Sequence, residues 1–145
     1  MTRTLGSYIA AVIVAYCFGA LFISQGNIAA VTGLGFDVTM SQRLGAIVHD
    51  VSGMTDIYLP LVAISLLLGL PVAFAVVRKR PHLRMLGYVS AGFVAMLAIH
   101  IIMKAVLGLS GIAPTRSLWG LLAQGVAGGI GGYLFYRLSA KPNTG

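Results

Sequence analysis

Residues 57–84 read IYLPLVAISLLLGLPVAFAVVRKRPHLR and combine the two features that decide the fold. The first part, residues 57–77, has no acidic or basic side chain and is long enough as a helix to cross a hydrocarbon layer of about 30 Å. The second part, residues 78–84, carries four basic side chains in a short connection. An uncharged helix that ends on a cluster of Arg and Lys is typical of a membrane span whose end faces the cytoplasm.

Three further apolar runs flank this stretch, over residues 8–26, 85–109 and 118–138, and none contains Asp or Glu. The chain of 145 residues is 58% hydrophobic and 9% charged, which is more apolar surface than a soluble domain of this length buries. A signal peptide is the alternative for the first run, but that run is longer than a typical h-region. The sequence therefore predicts an all-α integral membrane protein, a four-transmembrane-helix bundle that forms a single domain.

The basic residues predict the orientation of the bundle. Seven of the ten Lys and Arg side chains fall on one side of a chain that crosses four times: Arg3, Arg78, Lys79, Arg80, Arg84, Arg137 and Lys141. Because cytoplasmic segments of membrane proteins are enriched in positive charge, we expect both termini in the cytoplasm, with the protein in a bacterial cytoplasmic (inner) membrane. The net charge of +7 then reflects topology, and the basic residues lie in connections between apolar runs without forming a stripe along one polar face, which argues against a nucleic-acid partner.

The only long connection lies between the first and second spans and is predicted to contain an amphipathic helix over residues 40–53. Thr39 and Gln42 have the spacing of a capping box, and Gly53 ends the run. The apolar side chains are spaced to form one stripe along this helix. They are Met40, Leu44, Ile47, Val48, Val51 and Met54. We expect the helix on the outer membrane surface, as a simple connection, as a lid over the bundle or as a surface for a partner.

The last span is rich in glycine, and its residues 121–135 read LLAQGVAGGIGGYLF. Helices in lipid associate through close backbone contact and polar bridges, so this pattern predicts a groove for another helix, from this chain or from a second copy. The candidate packing residues are Gly120, Gln124, Gly125, Gly128, Gly129 and Gly132. Gln124 is predicted to be either a hydrogen-bonding group between helices or part of a polar cavity.

Ionisable side chains within a span are candidates for function because each costs free energy to place there. His100 and Lys104 lie one turn apart on the same face of the third span. Lys104 is close to the outer end, where its ammonium group reaches water. His100 lies deeper, and four roles are open: a hydrogen-bonded core residue, a proton relay, a ligand to a metal or haem, or a partner of a quinone or lipid headgroup.

The outer loops supply further polar side chains at a similar depth. If the helix over residues 40–53 folds over the bundle, these side chains converge with His100 and Lys104 on one outward-facing pocket. They are Arg43, His49, Asp50, Asp56 and Arg116. The alternative is that they are separate, solvated residues at the membrane interface.

The sequence has no recognisable catalytic motif. It lacks GxSxG, HExxH and a phosphate-binding glycine loop that follows a strand. The single Cys17 forms neither a CxxC pair nor a zinc cluster. We therefore predict no catalytic residue, no metal site and no cofactor, with haem or a quinone as the alternatives at His100.

Together these features favour a small, non-enzymatic membrane protein that acts as an accessory, scaffolding or assembly component. It would bind a membrane-protein partner, or a second copy as a homo-oligomer, through the glycine-rich last span. The alternative is a small transporter or ligand-binding membrane protein with an outward-facing polar site around His100. The layout of four spans is shared by many unrelated families and does not choose between these functions.

Overall fold

The computed structural model describes residues 2–108 and 113–140, and this part of the chain contains helices and no β-strand. The α-helices are α1 Thr2–Gly33, α2 Met40–Gly53, α3 Tyr58–Val77, α4 Arg84–Leu107 and α5 Leu118–Ser139. Two short 3₁₀ turns, Pro81–Leu83 and Ala113–Arg116, precede α4 and α5. Four helices, α1, α3, α4 and α5, are long and apolar enough to cross a membrane, which confirms the predicted number. The predicted end of the third span, Leu109, and the basic residue Lys141 lie outside the described residues.

α1 is longer than the predicted first span, because it begins at Thr2 and continues to Gly33. At about 1.5 Å per residue it is roughly 48 Å long, against roughly 30 Å for a hydrocarbon layer. Residues 25–33 read QGNIAAVTG and contain no proline that would stop the helix. The chain turns only at Gly35, whose φ of 89° is a conformation that favours glycine.

α2 begins with the predicted capping box. The Thr39 side chain accepts a hydrogen bond from the Gln42 amide at 3.3 Å, and the Gln42 side chain accepts one from the Thr39 amide at 2.8 Å. These two bonds satisfy amides that have no partner within the helix, so they define where the helix starts. The bounds of α2 agree with the helix predicted over residues 40–53.

α2 runs back along the end of α1. Arg43, near the start of α2, donates to Gln25 at 3.5 Å, and the carbonyl of Val51, near its end, accepts a hydrogen bond from Tyr16. Later residues of α2 therefore meet earlier residues of α1, and the two helices form an antiparallel pair. The predicted apolar stripe is divided by this contact: Val51 and Met54 pack against the core, whereas Met40, Leu44 and Val48 are exposed.

α5 lies between α1 and α4, and α3 packs against α4. The contact with α4 is so close that a Cβ atom at Gly128 would overlap the carbonyl oxygen of Gly92, and one at Gly132 would overlap that of Tyr88. On the side of α1, a Cβ atom at Gly131 would lie 2.9 Å from the carbonyl oxygen of Ala11. Helices of the same chain therefore occupy two faces of the glycine-rich helix.

The remaining candidate packing residues have less restricted surroundings. A Cβ atom at Gly125 would meet the ring of Phe93, and one at Gly129 would be in ordinary contact with Val89 at 3.6 Å. Gly120 is half-buried in the first turn of α5, where its amide donates to the Ser117 side chain at 3.0 Å. The six candidates thus differ in how much space each leaves for a side chain.

Candidate functional site

Gln124 connects three helices in the interior of the bundle. It is 1% exposed, its side-chain oxygen accepts a hydrogen bond from the Tyr58 hydroxyl, and its side-chain nitrogen donates to the carbonyl of Gly19 at 3.3 Å. These bonds join α5 to α3 and to α1. Of the two roles predicted for Gln124, the geometry is that of a hydrogen-bonding group between helices.

Aromatic rings extend this polar contact on both sides. The ring of Tyr58 lies 5.6 Å from that of Tyr16, whose hydroxyl also lies 3.2 Å from the Thr55 side chain at the junction of α2 and α3. On its other side, Tyr58 lies 6.4 Å from the ring of His100. We call Tyr16, Tyr58 and Gln124 the polar layer, because together they connect all four long helices through buried or part-buried hydrogen bonds and ring contacts.

His100 lies in α4 between the polar layer and a cavity. Its side chain is 6% exposed, and its Nδ1 atom lies 2.8 Å from the carbonyl oxygen of Met96. A carbonyl oxygen only accepts, so Nδ1 carries the proton in this bond and the other ring nitrogen, Nε2, is left without one in the neutral ring. Nε2 is buried and has no hydrogen-bond partner in the described structure, which is uncommon for a buried polar atom.

The cavity next to His100 has a volume of about 350 Å³ and lies between α4, the turn Ala113–Arg116 and the start of α5. Its polar lining combines two cations, two hydroxyl groups and the imidazole: Lys104, Arg116, Thr115, Ser117 and His100. The rest of the lining is aliphatic, from Ile101, Leu118 and Leu121. The cavity is therefore a mixed pocket whose polar groups are mostly hydrogen-bond donors.

The charge of this cavity is positive. Lys104 and Arg116 are both exposed and both line it, whereas none of the chain's three acids, Asp37, Asp50 and Asp56, does so. The first turn of α5 adds the partial positive charge of a helix N-terminus. Lys and Arg donate charge-assisted hydrogen bonds to carboxylate and phosphate oxygens, so the lining suits an anion.

The structure brings together only part of the predicted pocket. Of the predicted residues, His100, Lys104 and Arg116 line the cavity. The predicted residues that do not line it are Arg43, His49, Asp50 and Asp56. The physical reason is that α2 packs along α1, whereas the cavity lies between α4 and α5.

Two lining residues, Thr115 and Ser117, were not predicted. Residues 114–117 read PTRS and directly precede the apolar run of the last span. A serine before such a run is typical of a helix N-cap, and Ser117 does cap α5. That signal locates the start of α5, but it does not indicate that the segment faces α4.

The residues around His100 do not form a recognisable metal or haem site. Within the described ranges, no three His, Cys, Asp or Glu side chains are grouped so that they hold a metal ion. Bis-histidine haem ligation needs a second imidazole, and His49 is exposed on α2 and does not line the cavity. The lining favours a ligand held by hydrogen bonds and charge.

Comparison of the chain with known protein families, with curated proteins and with solved structures gave no significant match.

Proposed function

We propose that the chain spans the bacterial cytoplasmic membrane four times, with both termini in the cytoplasm, and binds a small anionic solute in the outward-facing cavity. The orientation is supported by charge, since Arg3, residues 78–84 and Arg137 all belong to the end of the bundle that carries the termini. All three acids lie at or beside α2, in the part of the chain assigned to the outer side.

Cysteine labelling tests this orientation. In a Cys17→Ser background, Asp37→Cys is expected to react with a membrane-impermeant maleimide added to spheroplasts, because Asp37 is exposed in the outer connection. Lys79→Cys, exposed in the basic connection, is expected to react only after the membrane is permeabilised. The reverse pattern, or equal labelling of both variants in intact spheroplasts, would contradict the proposed topology.

The observation that supports anion binding is the combination of two cations and a buried, unpartnered imidazole nitrogen around one cavity. A carboxylate or phosphate accepts hydrogen bonds from Lys104 and Arg116, and the planar guanidinium binds two oxygens at once. Nε2 of neutral His100 accepts from a protonated ligand oxygen, such as that of hydrogen phosphate, and the protonated ring donates instead. A volume of about 350 Å³ is near the lower limit of ligand pockets, which favours a small solute.

The interior beyond His100 is closed by side chains of the polar layer. The ring of Tyr58 lies beside that of His100 at a tilt of 56°, and Tyr58 is itself hydrogen-bonded to Gln124, which is 1% exposed. A solute that enters the cavity therefore reaches His100, and Tyr58 and Gln124 lie behind it. The geometry supports binding from the outer side, and transport across the membrane would require the bond between Tyr58 and Gln124 to open.

Binding is tested by titrating the protein in nanodiscs with inorganic phosphate and with acetate in a calorimeter. A hydrogen bond to a charged group contributes about 1.5–3 kcal/mol. Because Lys104 and Arg116 are exposed to solvent, the lower end of this range applies, and Lys104→Gln and Arg116→Gln are each expected to weaken binding about tenfold. His100→Leu is expected to weaken the binding of phosphate more than that of acetate, since acetate has no proton to donate to Nε2 near neutral pH.

Arg43→Gln is the control, because Arg43 is a cation on α2 that does not line the cavity. Equal losses in Arg43→Gln and Arg116→Gln, or no binding of either anion, would exclude the site.

An accessory function through a protein partner is the second candidate. The observation in its favour is an exposed apolar edge on α2, formed by Met40, Leu44 and Val48, which are each more than half exposed. The glycines of α5 do not support binding of a partner protein, because α1 and α4 of the same chain fill their faces. A preparation that binds neither anion but contains stoichiometric dimers in native mass spectra would favour this candidate.

A further inference from the structure

A second cavity of the described structure lies in the other half of the bundle, away from His100. It has a volume of about 670 Å³ and is lined by residues of α1, α3, α4 and α5. Its floor is formed by buried side chains, among them Leu66, Leu70 and Tyr88. At the end towards α2, α1 and α3 are joined by the Tyr8 hydroxyl, which donates to the carbonyl of Ala63 at 2.7 Å. We call this cavity the inner crevice.

The sides of the inner crevice are apolar and open sideways. Leu5, Leu67 and Phe74 line it, and each is more than half exposed on the surface of the bundle. In a membrane such side chains face acyl chains, so the crevice is continuous with the lipid. An occupant that enters from the side must therefore be apolar over most of its length.

One end of the inner crevice is polar. Thr4 at the start of α1, Arg84 at the start of α4 and Ser139 at the end of α5 line it there. Arg84 is half-buried, and none of the described residues that line the crevice is acidic. A half-buried guanidinium that has no carboxylate beside it in the described part of the chain is complementary to a phosphate, which it binds through two parallel hydrogen bonds.

We infer that the inner crevice binds an anionic phospholipid of the cytoplasmic leaflet, with one acyl chain between α1 and α3 and the phosphate at Arg84. The inference rests on the membrane orientation proposed above, since that orientation places Arg84 at the level of the cytoplasmic headgroups. The inference depends on none of the residues that line the cavity next to His100. A lipid fits better than a soluble anion because most of the lining is apolar and opens toward the acyl chains.

Native mass spectrometry of delipidated protein in detergent tests the inference, with phosphatidylglycerol and phosphatidylcholine as probes. The unmodified protein is expected to bind phosphatidylglycerol at least about fivefold more tightly, a preference of about 1 kcal/mol. Arg84→Gln is expected to abolish this preference. Leu67→Trp, which fills the crevice from an exposed position, is expected to weaken both lipids.

Two matched variants serve as controls. Arg80→Gln removes a charge of the same basic connection, and Leu68→Trp enlarges the neighbouring exposed leucine, but neither residue lines the crevice. Both are expected to bind lipid as the unmodified protein does. Melting temperatures in detergent alone identify any variant that is merely destabilised.

Three results would overturn the inference. The first is equal binding of the two lipids to the unmodified protein. The second is an equal effect of Arg80→Gln and Arg84→Gln, which would indicate a diffuse attraction by the basic connection. The third is binding of glycerol phosphate as tight as that of phosphatidylglycerol, which would indicate a site for a free anion. A failure of phosphate binding at Lys104 and Arg116 leaves this inference standing, so the two proposals fail separately.

Discussion

Gly128→Leu is expected to disrupt the tertiary structure of the bundle, whereas Gly129→Ala next to it is expected to leave the structure intact. A Cβ atom at Gly128 would overlap the carbonyl oxygen of Gly92 and the side chain of Met96. Because backbone fills this space, α4 and α5 would have to separate before a side chain could fit. Overpacking of a core costs about 1–3 kcal/mol where side chains can shift, and more where they cannot. We therefore expect a loss above about 3 kcal/mol for leucine.

Gly129 is the control because it is the next glycine along the same helix. A Cβ atom there would lie 3.6 Å from Val89, which is ordinary contact. Alanine is also the better helix former, by about 0.5–1 kcal/mol, so Gly129→Ala is expected to be neutral or slightly stabilising. Unfolding by SDS, followed through Trp119 fluorescence and circular dichroism, measures both variants. Equal stability of Gly128→Leu and the unmodified protein would show that α4 and α5 do not pack as described.

Gln124→Leu is expected to destabilise the bundle by about 1–3 kcal/mol, because it leaves the Tyr58 hydroxyl buried without its acceptor. Hydrogen bonds between membrane helices contribute less on average, about 0.6 kcal/mol, since the separated helices also find partners. Most of the expected loss of stability therefore comes from the Tyr58 hydroxyl, which is left buried without an acceptor. In the double variant Tyr58→Phe, Gln124→Leu both polar groups are gone, so its cost is expected to fall short of the sum of the single costs.

Ser65→Ala is the control for this prediction. Ser65 is also buried in α3, but its hydroxyl has no hydrogen-bond partner in the described structure, so its removal breaks no bond. We expect no loss of stability from this change. The same SDS titration measures the three single variants and the double variant. Strict additivity of Tyr58→Phe and Gln124→Leu would mean that the two side chains do not interact.

The two proposed sites lie towards opposite ends of the same bundle, and none of the residues of the polar layer lines either of them. Gln124 and Tyr58 hold α1, α3 and α5 together, next to His100. On the side of His100 that faces away from this layer, the bundle opens into the positive cavity. Over their whole length α1 and α3 are less closely packed than α4 and α5, and the inner crevice is lined by residues of all four of these helices.

Part of the candidate site can be predicted from the sequence. An imidazole and an ammonium group four residues apart in an apolar run marked His100 and Lys104, and both line the cavity. His49 and Asp50 were equally conspicuous but lie on α2, away from it. Nothing in the spacing of these residues indicates which helix α2 packs against. The sequence therefore does not show that His100 and Lys104 line the cavity whereas His49 and Asp50 do not.

Features that depend on neighbouring residues are readable from the sequence: four span-length helices, the capping box that starts α2, and the concentration of positive charge at one end. Hydropathy and capping act over a few residues, which is why they can be read locally. The sequence does not show which helices fill the glycine faces of α5 or which polar side chains meet, and these contacts are seen only in the folded bundle. In lipid the hydrophobic effect does not order helices around a bundle, so this order depends on shape and hydrogen bonding between residues far apart in the chain.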